Sequence, residues 1–308
     1  MTENTDAYIS AADKDEYIKF VSDRLPSFAR PSSGEVWHYT SGQALVAILN
    51  TGTLFSTQVS CLNDTLEQRY FGDLVHAEIK KVALSNTDQR LTPLLKIADG
   101  ALTNRDFSAT WHFVSCFSEV TDDLGQWRGY GGGQCGYAVG FDLEKLLGVL
   151  RIRRPGAIVV PMCYDLALQQ SIVKDVIENA KQYFIAGLSK HSDPEKWANE
   201  FIAAFSWALD IFACLFKHPK FSGEHERRIV AAFVDADLSS LIFTQKNTLL
   251  ARHLPLSLMM TNWKLPITRV LVGPGPAQRV TQVSVGTLLK QRGYDVPVDL
   301  SSVPYRVP

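Results

Sequence analysis

The chain has 308 residues, with 31 Lys and Arg against 32 Asp and Glu, for a net charge of −1. A balance this close to neutrality excludes capture of nucleic acid or a membrane surface by bulk charge, although a local patch is still compatible with a nucleic-acid substrate. Five scattered cysteines without a CxxC pair argue against a disulfide framework.

Residues 1–34 read as a loose leader with one short helix over 13–25, closed by Pro26 and Pro31. This start is polar and acidic and lacks the basic and apolar regions of a signal peptide. Trp37-His38-Tyr39 reads as a short strand. Thr40-x-x-Gln43 then matches a capping box, and Ala44, Leu45, Ile48 and Leu49 form an apolar helical stripe that ends at Gly52. A strand over 53–59, a turn at Cys61-Leu62-Asn63-Asp64 and a helix over 65–83 follow. Further strands are predicted over 107–117 and 137–142, with a loop at 118–123 and an aromatic, glycine-rich segment at 125–136 between them. Strands near 149–153 and 157–164 flank an Arg-Pro-Gly turn. Two long helices over 166–189 and 194–217 read as a helical insertion. The stretch 201–216 is apolar but carries Asp210 and is too short for a bilayer span, so a buried helix in a cytoplasmic protein is expected. After a strand around 226–233 come a strand over 267–272, a helix over 280–292 and a last strand over 296–300. Many short strands with segregated helices predict an α+β class, with one domain over 35–308 and its helical insertion at about 165–217.

Glu224-His225-Glu226-Arg227-Arg228 carries the most chemistry. If the strand extends back through both acids, period 2 sets them on one face, where same-side carboxylates suit acid–base work or face a developing positive charge. The plain alternative is a solvated strand end neutralised by Arg227 and Arg228. Gly131-x-Gly133-x-x-Gly136 matches a dinucleotide fingerprint in letters only, since a strand follows it rather than a helix. Trp127, Tyr130 and Tyr137 suit either a packed core or stacking on a flat heterocycle. His38, at a strand end beside the helix cap, reads as structural, solvated or ligand-holding. The spacing of His112, Cys116, Cys135 and His225 fits no paired metal-ligand pattern, so no metal is expected. Arg151, Arg153 and Arg154 read as a solvated basic face, and Gly273-Pro274-Gly275-Pro276 as a turn.

Trp37-His38-Tyr39-Thr40 with Ala47-Ile48-Leu49 and Gly52-Thr53-Leu54-Phe55, Leu62-Asn63-Asp64 with Glu67, and Cys116-Phe117-Ser118-Glu119 with Trp127 and Tyr130 resemble the DUF2971 proteins. So do Gly136 with Gly140-Phe141-Asp142, the Glu224-x-Glu226-Arg227 segment and the ending Ser301-Ser302-Val303-Pro304-Tyr305-Arg306. That family's name stands for unknown function.

The order of His on a first strand, an aromatic segment in the middle and Glu on a late strand is also similar to the H-Y-E pattern of ADP-ribosyltransferases. This resemblance implies split, bent sheets with peripheral helices and NAD as a substrate. His38, with Tyr39, Thr40 and Ser118 beside it, would hold an NAD ribose. Tyr130 would stack on nicotinamide, with Trp127 and Tyr137 as rivals. Glu226 would steady the cationic transition state, and Glu224 would serve the acceptor, a nucleic acid or a protein. It further implies a toxin or antiphage effector, with an antitoxin or regulator as a partner. A non-catalytic nucleotide-sensing module and an NAD glycohydrolase are the competing expectations.

Overall fold

A computed structural model of the protein describes residue 19 and residues 33–62, 65–96, 111–131, 136–232, 238–246 and 248–304. Apart from Lys19, the leader helix expected over 13–25 lies outside them, as do Asn63, Asp64, residues 107–110, Gly132, Gly133, Gln134, Cys135 and residues 305–308.

β1 (Glu35–Thr40) leads into α1 (Gly42–Thr51). The helix is capped by Ser41 rather than the expected Thr40, because the Ala44 N–H donates to Ser41 Oγ at 3.3 Å. Gly52 closes it with a left-handed backbone, φ 64, and its N–H donates to the Ile48 carbonyl. β2 (Thr53–Gln58), α2 (Thr65–Ser85) and β3 (His112–Ser118) follow. The aromatic, glycine-rich segment at 125–136 begins as a helix, α3 (Leu124–Tyr130), which Asp123 nucleates by accepting from the Gln126 N–H at 2.9 Å. β4 (Tyr137–Asp142) runs directly into α4 (Leu143–Arg153).

α4 replaces the strand expected over 149–153. Asp142 caps it through the Lys145 N–H, and Leu143, Leu146, Val149 and Leu150 are buried at helical spacing. β5 (Ile158–Pro161) is followed by α5 (Leu166–Lys190) and α6 (Pro194–Ala213), with side-chain caps Asp165 and Asp193 and with Pro194 in the first turn of α6. β6 (Glu226–Ala232) comes next. The hairpin of β7 (Ile242–Lys246) and β8 (Leu249–Ser257) was not anticipated, and β9 (Ile267–Val272), α7 (Gln278–Gln291) and β10 (Val298–Leu300) end the described fold.

The single domain expected from residue 35 onward divides into two compact units, 1–29 with 62–110 and 163–221, and 30–61 with 111–162 and 222–308. The first is helical among its described residues and includes α2 as well as the two insertion helices. Its packing is aromatic: Trp197 stacks on His191 at 4.5 Å and donates its indole N–H to the Phe184 carbonyl at 3.2 Å. Gln169 is fully buried and clips three strands of chain together. It accepts from the Tyr70 hydroxyl at 2.6 Å and donates to the carbonyls of Cys163 and Lys217 at 2.6 and 2.9 Å. No helix among the described residues is long and apolar enough to cross a membrane.

The second unit is built on one open, bent sheet of ten strands, and the two units together make an α+β protein. The main path is β10-β9-β4-β1-β3-β2-β8-β7, with β6 on β3 and β5 on β6. All pairings are antiparallel except β9 with β10. β3 is the branch point. β1 pairs with it only at Trp37–Ser118, β2 only at Thr57–Val114 and Gln58–Phe113, while β6 pairs along all of it from His112–Ala232 to Ser118–Glu226. The sheet therefore forks where β1 and β2 separate along β3. One face carries the main core: Val36, Phe117, Val139, Phe141 and Ile229 pack with Leu45 and Ile48 of α1, Leu146 and Leu150 of α4, and Val285 and Leu289 of α7. Each such side chain contributes about 1.5–3 kcal/mol on burial, which makes this the stabilising layer of the unit.

Candidate functional site

The three segments singled out in the sequence meet at the fork of the sheet. Trp37, Ser118 and Glu226 form one row across β1, β3 and β6, since Trp37 pairs with Ser118 and Ser118 with Glu226. Residues opposite one another in antiparallel strands share a face. On that face Trp37 and Tyr39 pack with Trp127 of α3, Ala138 and Leu271, and Val303 covers them. Tyr39 meets Trp127 edge-on with ring centres 4.7 Å apart.

His38, one residue along β1, points the other way. Its ring lies against Phe117 at 5.6 Å, in the main core, and its Nδ1 is 3.0 Å from the Cys116 carbonyl. Burial holds its pKa below the ordinary value, against the opposing pull of that hydrogen bond. Thr40 and Tyr137 face each other in register and alternate onto the same face as His38. The expected convergence of His38 with Glu226 is thus corrected: period 2 along β1 carries His38, Thr40 and Tyr137 to one face and leaves Tyr39, Ser118, Trp127 and Glu226 on the other.

The acidic pair is corrected as well. Glu224 ends a 3-10 turn, Pro219–Glu224, and β6 begins only at Glu226. Between them His225 has a left-handed backbone, φ 45, so no strand alternation links the two acids. Glu226 is 5% exposed and its carboxylate is gripped by Arg228, with Nε–Oε1 at 2.6 Å and Nη2–Oε2 at 3.2 Å. Arg227, on the opposite face, donates to Glu119 Oε1 from Nε at 3.0 Å and Nη2 at 2.6 Å. Two consecutive buried arginines therefore hold two different carboxylates, one on each face of β6. Such pairs are a costly way to stabilise a strand, because desolvation of both charges offsets their attraction.

The loop between β3 and α3 gathers the surrounding elements. Ser118 Oγ donates to the Glu224 carbonyl at 2.9 Å and accepts from the Val120 N–H at 3.1 Å. The Glu119 N–H donates to the His225 carbonyl at 2.9 Å. The Tyr39 hydroxyl donates to the Val120 carbonyl and accepts from the Asp123 N–H, both at 3.2 Å. Burial pushes the Tyr39 pKa up to about 12. Asp122 is the second non-glycine residue here with a left-handed backbone, φ 56. Its carboxylate accepts from Trp127 Nε1 at 3.0 Å, from Ser301 Oγ, and from both the N–H and Oγ of Ser302 at 2.8 Å. Burial pushes its pKa upward, but these hydrogen bonds outweigh that and hold the group below the ordinary carboxylate value. Strained non-glycine backbone at a junction of this kind points toward function.

The glycines and aromatics separate into two roles. A Cβ on Gly273 would fall 2.8 Å from the Gly136 carbonyl and 2.9 Å from the Trp127 ring, and one on Gly136 would fall 2.4 Å from Gly131 Cα. The space beside these glycines is filled by the protein's own backbone and by Trp127, which is core and does not serve as a stacking face. Tyr130, at the end of α3, is 42% exposed. The Asp122 and C-terminal contacts have no signature in the sequence; the Ser-Ser pair at 301–302 is the only trace of them. No cluster of three His, Cys, Asp or Glu suited to a metal ion occurs among the described residues.

Residues 126–229 match a family described as Protein of unknown function (DUF2971). The matched segment runs from the first turn of α3 through the helical insertion into β6, and so takes in Tyr130, Glu224 and Glu226. No curated protein and no solved structure matches the chain.

Proposed function

We propose that the chain is an NAD-consuming protein of ADP-ribosyltransferase type, acting at the face of the sheet that carries Ser118 and Glu226. The observation behind this reading is Glu226 itself: a buried carboxylate held by Arg228 at the fork of the sheet, next to the left-handed turn at His225. Breaking the N-glycosidic bond of NAD sends the bonding pair to nicotinamide and leaves positive charge on the ribose. A preorganised carboxylate opposes that charge without reorganising. Glu224, half-exposed in the preceding turn, takes the proton that the acceptor loses as its nucleophile attacks the ribose. Tyr130 is the exposed ring for the nicotinamide, and Ser118 sits in register with Glu226. His38 has no part in this version of the site. The acceptor class is a nucleic acid or a protein, and a toxin or antiphage role with a restraining partner is the setting that fits such chemistry.

A specific observation favours a second reading, a nucleotide-binding module without turnover: Arg228 already engages both oxygens of Glu226. Incubating the purified chain with NAD, with and without RNA, DNA and protein, separates the two. Labelled acceptor supports transfer, free ADP-ribose supports hydrolysis, and unchanged NAD with measurable binding supports the module. If transfer occurs, Glu226→Gln lowers it by about two to three orders of magnitude with the melting temperature kept. A Glu226→Gln protein that transfers at the wild-type rate reduces the acid to a strand-end ion pair.

A further inference from the structure

Residues 301–303 do not trail away from the last strand. The Ser301 N–H donates to the Val272 carbonyl at 2.8 Å, and Gln278 Nε2 donates to the Ser301 carbonyl at 3.2 Å. The Val303 N–H closes a turn onto Ser301 Oγ at 3.2 Å, and its side chain packs on the Trp37, Tyr39 and Trp127 cluster. All the polar groups that this segment turns toward the β3–α3 loop end on one carboxylate, Asp122, which also takes the indole N–H of α3. The carboxylate sits on a left-handed residue in the loop that precedes α3. Asp122 thus gathers the side-chain ties of this segment, beside the backbone bond to Val272 and the Gln278 contact.

From this geometry we infer that Ser301–Val303 is a clasp, with Asp122 as its catch, that sets the short aromatic helix α3 on the face of the sheet shared with Glu226. Four donors converge on one acceptor group, so loss of that group frees the loop and the helix together instead of contact by contact. α3 has only 7 residues and is too short to hold its position by its own backbone bonds. Other ties also hold it, among them the Trp127 packing, the Asp123 cap and the Tyr39 hydroxyl on the Asp123 N–H. The clasp is therefore a conformational device: engaged, it fixes Tyr130 and the 119–123 loop; released, it lets them open while the sheet stays folded. Its effect on NAD rests on the function proposed above, whereas its mechanical role does not.

Asp122→Gly is the cleanest test, since glycine keeps the left-handed backbone without strain and removes every contact of the catch. Amide hydrogen exchange is read by segment, beside a second variant that ends at Leu300. In both, amides of 120–131 exchange at least about tenfold faster, while β3, β4 and β6 keep their wild-type rates. Ser302→Ala gives a smaller acceleration confined to the same residues. Unchanged exchange over 120–131 in both variants overturns the clasp. So does a parallel loss of protection throughout the sheet, which would make the segment an ordinary part of the core. The wild-type NAD assay judges the proposed function separately: if the wild type consumes and binds no NAD, that reading falls and the exchange result still decides the clasp. If it does turn over, Asp122→Gly raises the KM for NAD by about tenfold or more, and an unchanged KM overturns the link between clasp and site.

Discussion

Two adjacent residues of β1 live in opposite chemistry. His38 faces the main core, with its ring on Phe117 and one hydrogen bond to a strand carbonyl. Tyr39 faces the fork, where its hydroxyl ties two backbone groups of the β3–α3 loop and its ring supports Trp127. The same division recurs on β6, where Arg227 and Arg228 send their guanidinium groups to different carboxylates on the two faces. One face is chiefly a packed layer that stabilises the unit. The other joins α3, the β3–α3 loop, the C-terminal segment and Glu226. A strand is read one face at a time, so a motif of consecutive letters such as Trp37-His38-Tyr39-Thr40 always mixes two environments.

The two arginine pairs give the largest test of that division. Arg228→Met leaves a buried carboxylate without its guanidinium and should cost about 3–5 kcal/mol in urea unfolding, whereas the Glu226→Met/Arg228→Met double variant should recover most of the loss. Arg227→Met should cost less, about 1–2 kcal/mol, because Glu119 is 25% exposed and water can take over part of the guanidinium's role. Equal losses for the two single variants would mean that the faces do not differ at β6.

The next effect is smaller and lies on β1. Tyr39→Phe deletes a hydroxyl that satisfies the Val120 carbonyl and the Asp123 N–H, so a loss of about 1–3 kcal/mol is expected, with faster amide exchange at Asp123. His38→Phe exchanges one hydrogen bond for more apolar contact with Phe117 and should stay within about 1 kcal/mol of wild type. NAD turnover, where it is measured, should be unchanged to within about twofold in His38→Phe, because that ring packs on Phe117 on the face away from Glu226. A large turnover loss there with normal stability would return His38 to the site.

How much of this was legible in the sequence varies with the kind of signal. The α1 stripe of Leu45, Ile48 and Leu49 with Gly52 behind it, and the capped, apolar α5 and α6, were readable because each is local and periodic. The strand expected over 149–153 failed because Val149 and Ile152 are β-formers by type, yet the spacing of Val149 and Leu150 from Leu143 and Leu146 is helical once Asp142 provides a cap. β7 and β8 were missed because Pro255 and the apolar run at Leu249-Leu250 obscure the alternation of the hairpin, and the pairing of β8 with β2, nearly 200 residues earlier, leaves no local trace. Of the candidate site, Glu226 and the aromatic segment were visible by residue type. Which face each occupied was not, because His225 breaks the period between Glu224 and Glu226 and only the Trp37–Ser118–Glu226 register fixes the sides. The Asp122 catch depends on contacts to residues 179 and 180 positions later, of which only the Ser301-Ser302 pair could be seen, without its partner.

The finest test uses the protons of the two neighbours, whose shifts run in opposite directions. His38 in the folded chain binds its proton more weakly than an ordinary histidine, whose pKa is 6.5. Just below pH 6.5 the unfolded chain therefore holds a proton that the folded chain lacks. The His38 contribution to stability is full above pH 6.5 and is lost as the pH falls. Tyr39 behaves in the reverse sense, with a folded value of about 12 against 10.0. Between those values the folded chain keeps a proton that the unfolded chain has released, so its contribution is full below pH 10 and is lost as the pH rises toward 12. Each effect is bounded by about 1.4 kcal/mol per pH unit, and other groups titrate in both ranges, so the quantity to read is the difference between variant and wild type. Urea unfolding across pH should show His38→Phe flattening only the acid limb and Tyr39→Phe flattening only the alkaline limb. If Tyr39→Phe left the alkaline limb as steep as in wild type, its hydroxyl would be solvated, and the ties that hold the β3–α3 loop over the Glu226 face would not be the ones described.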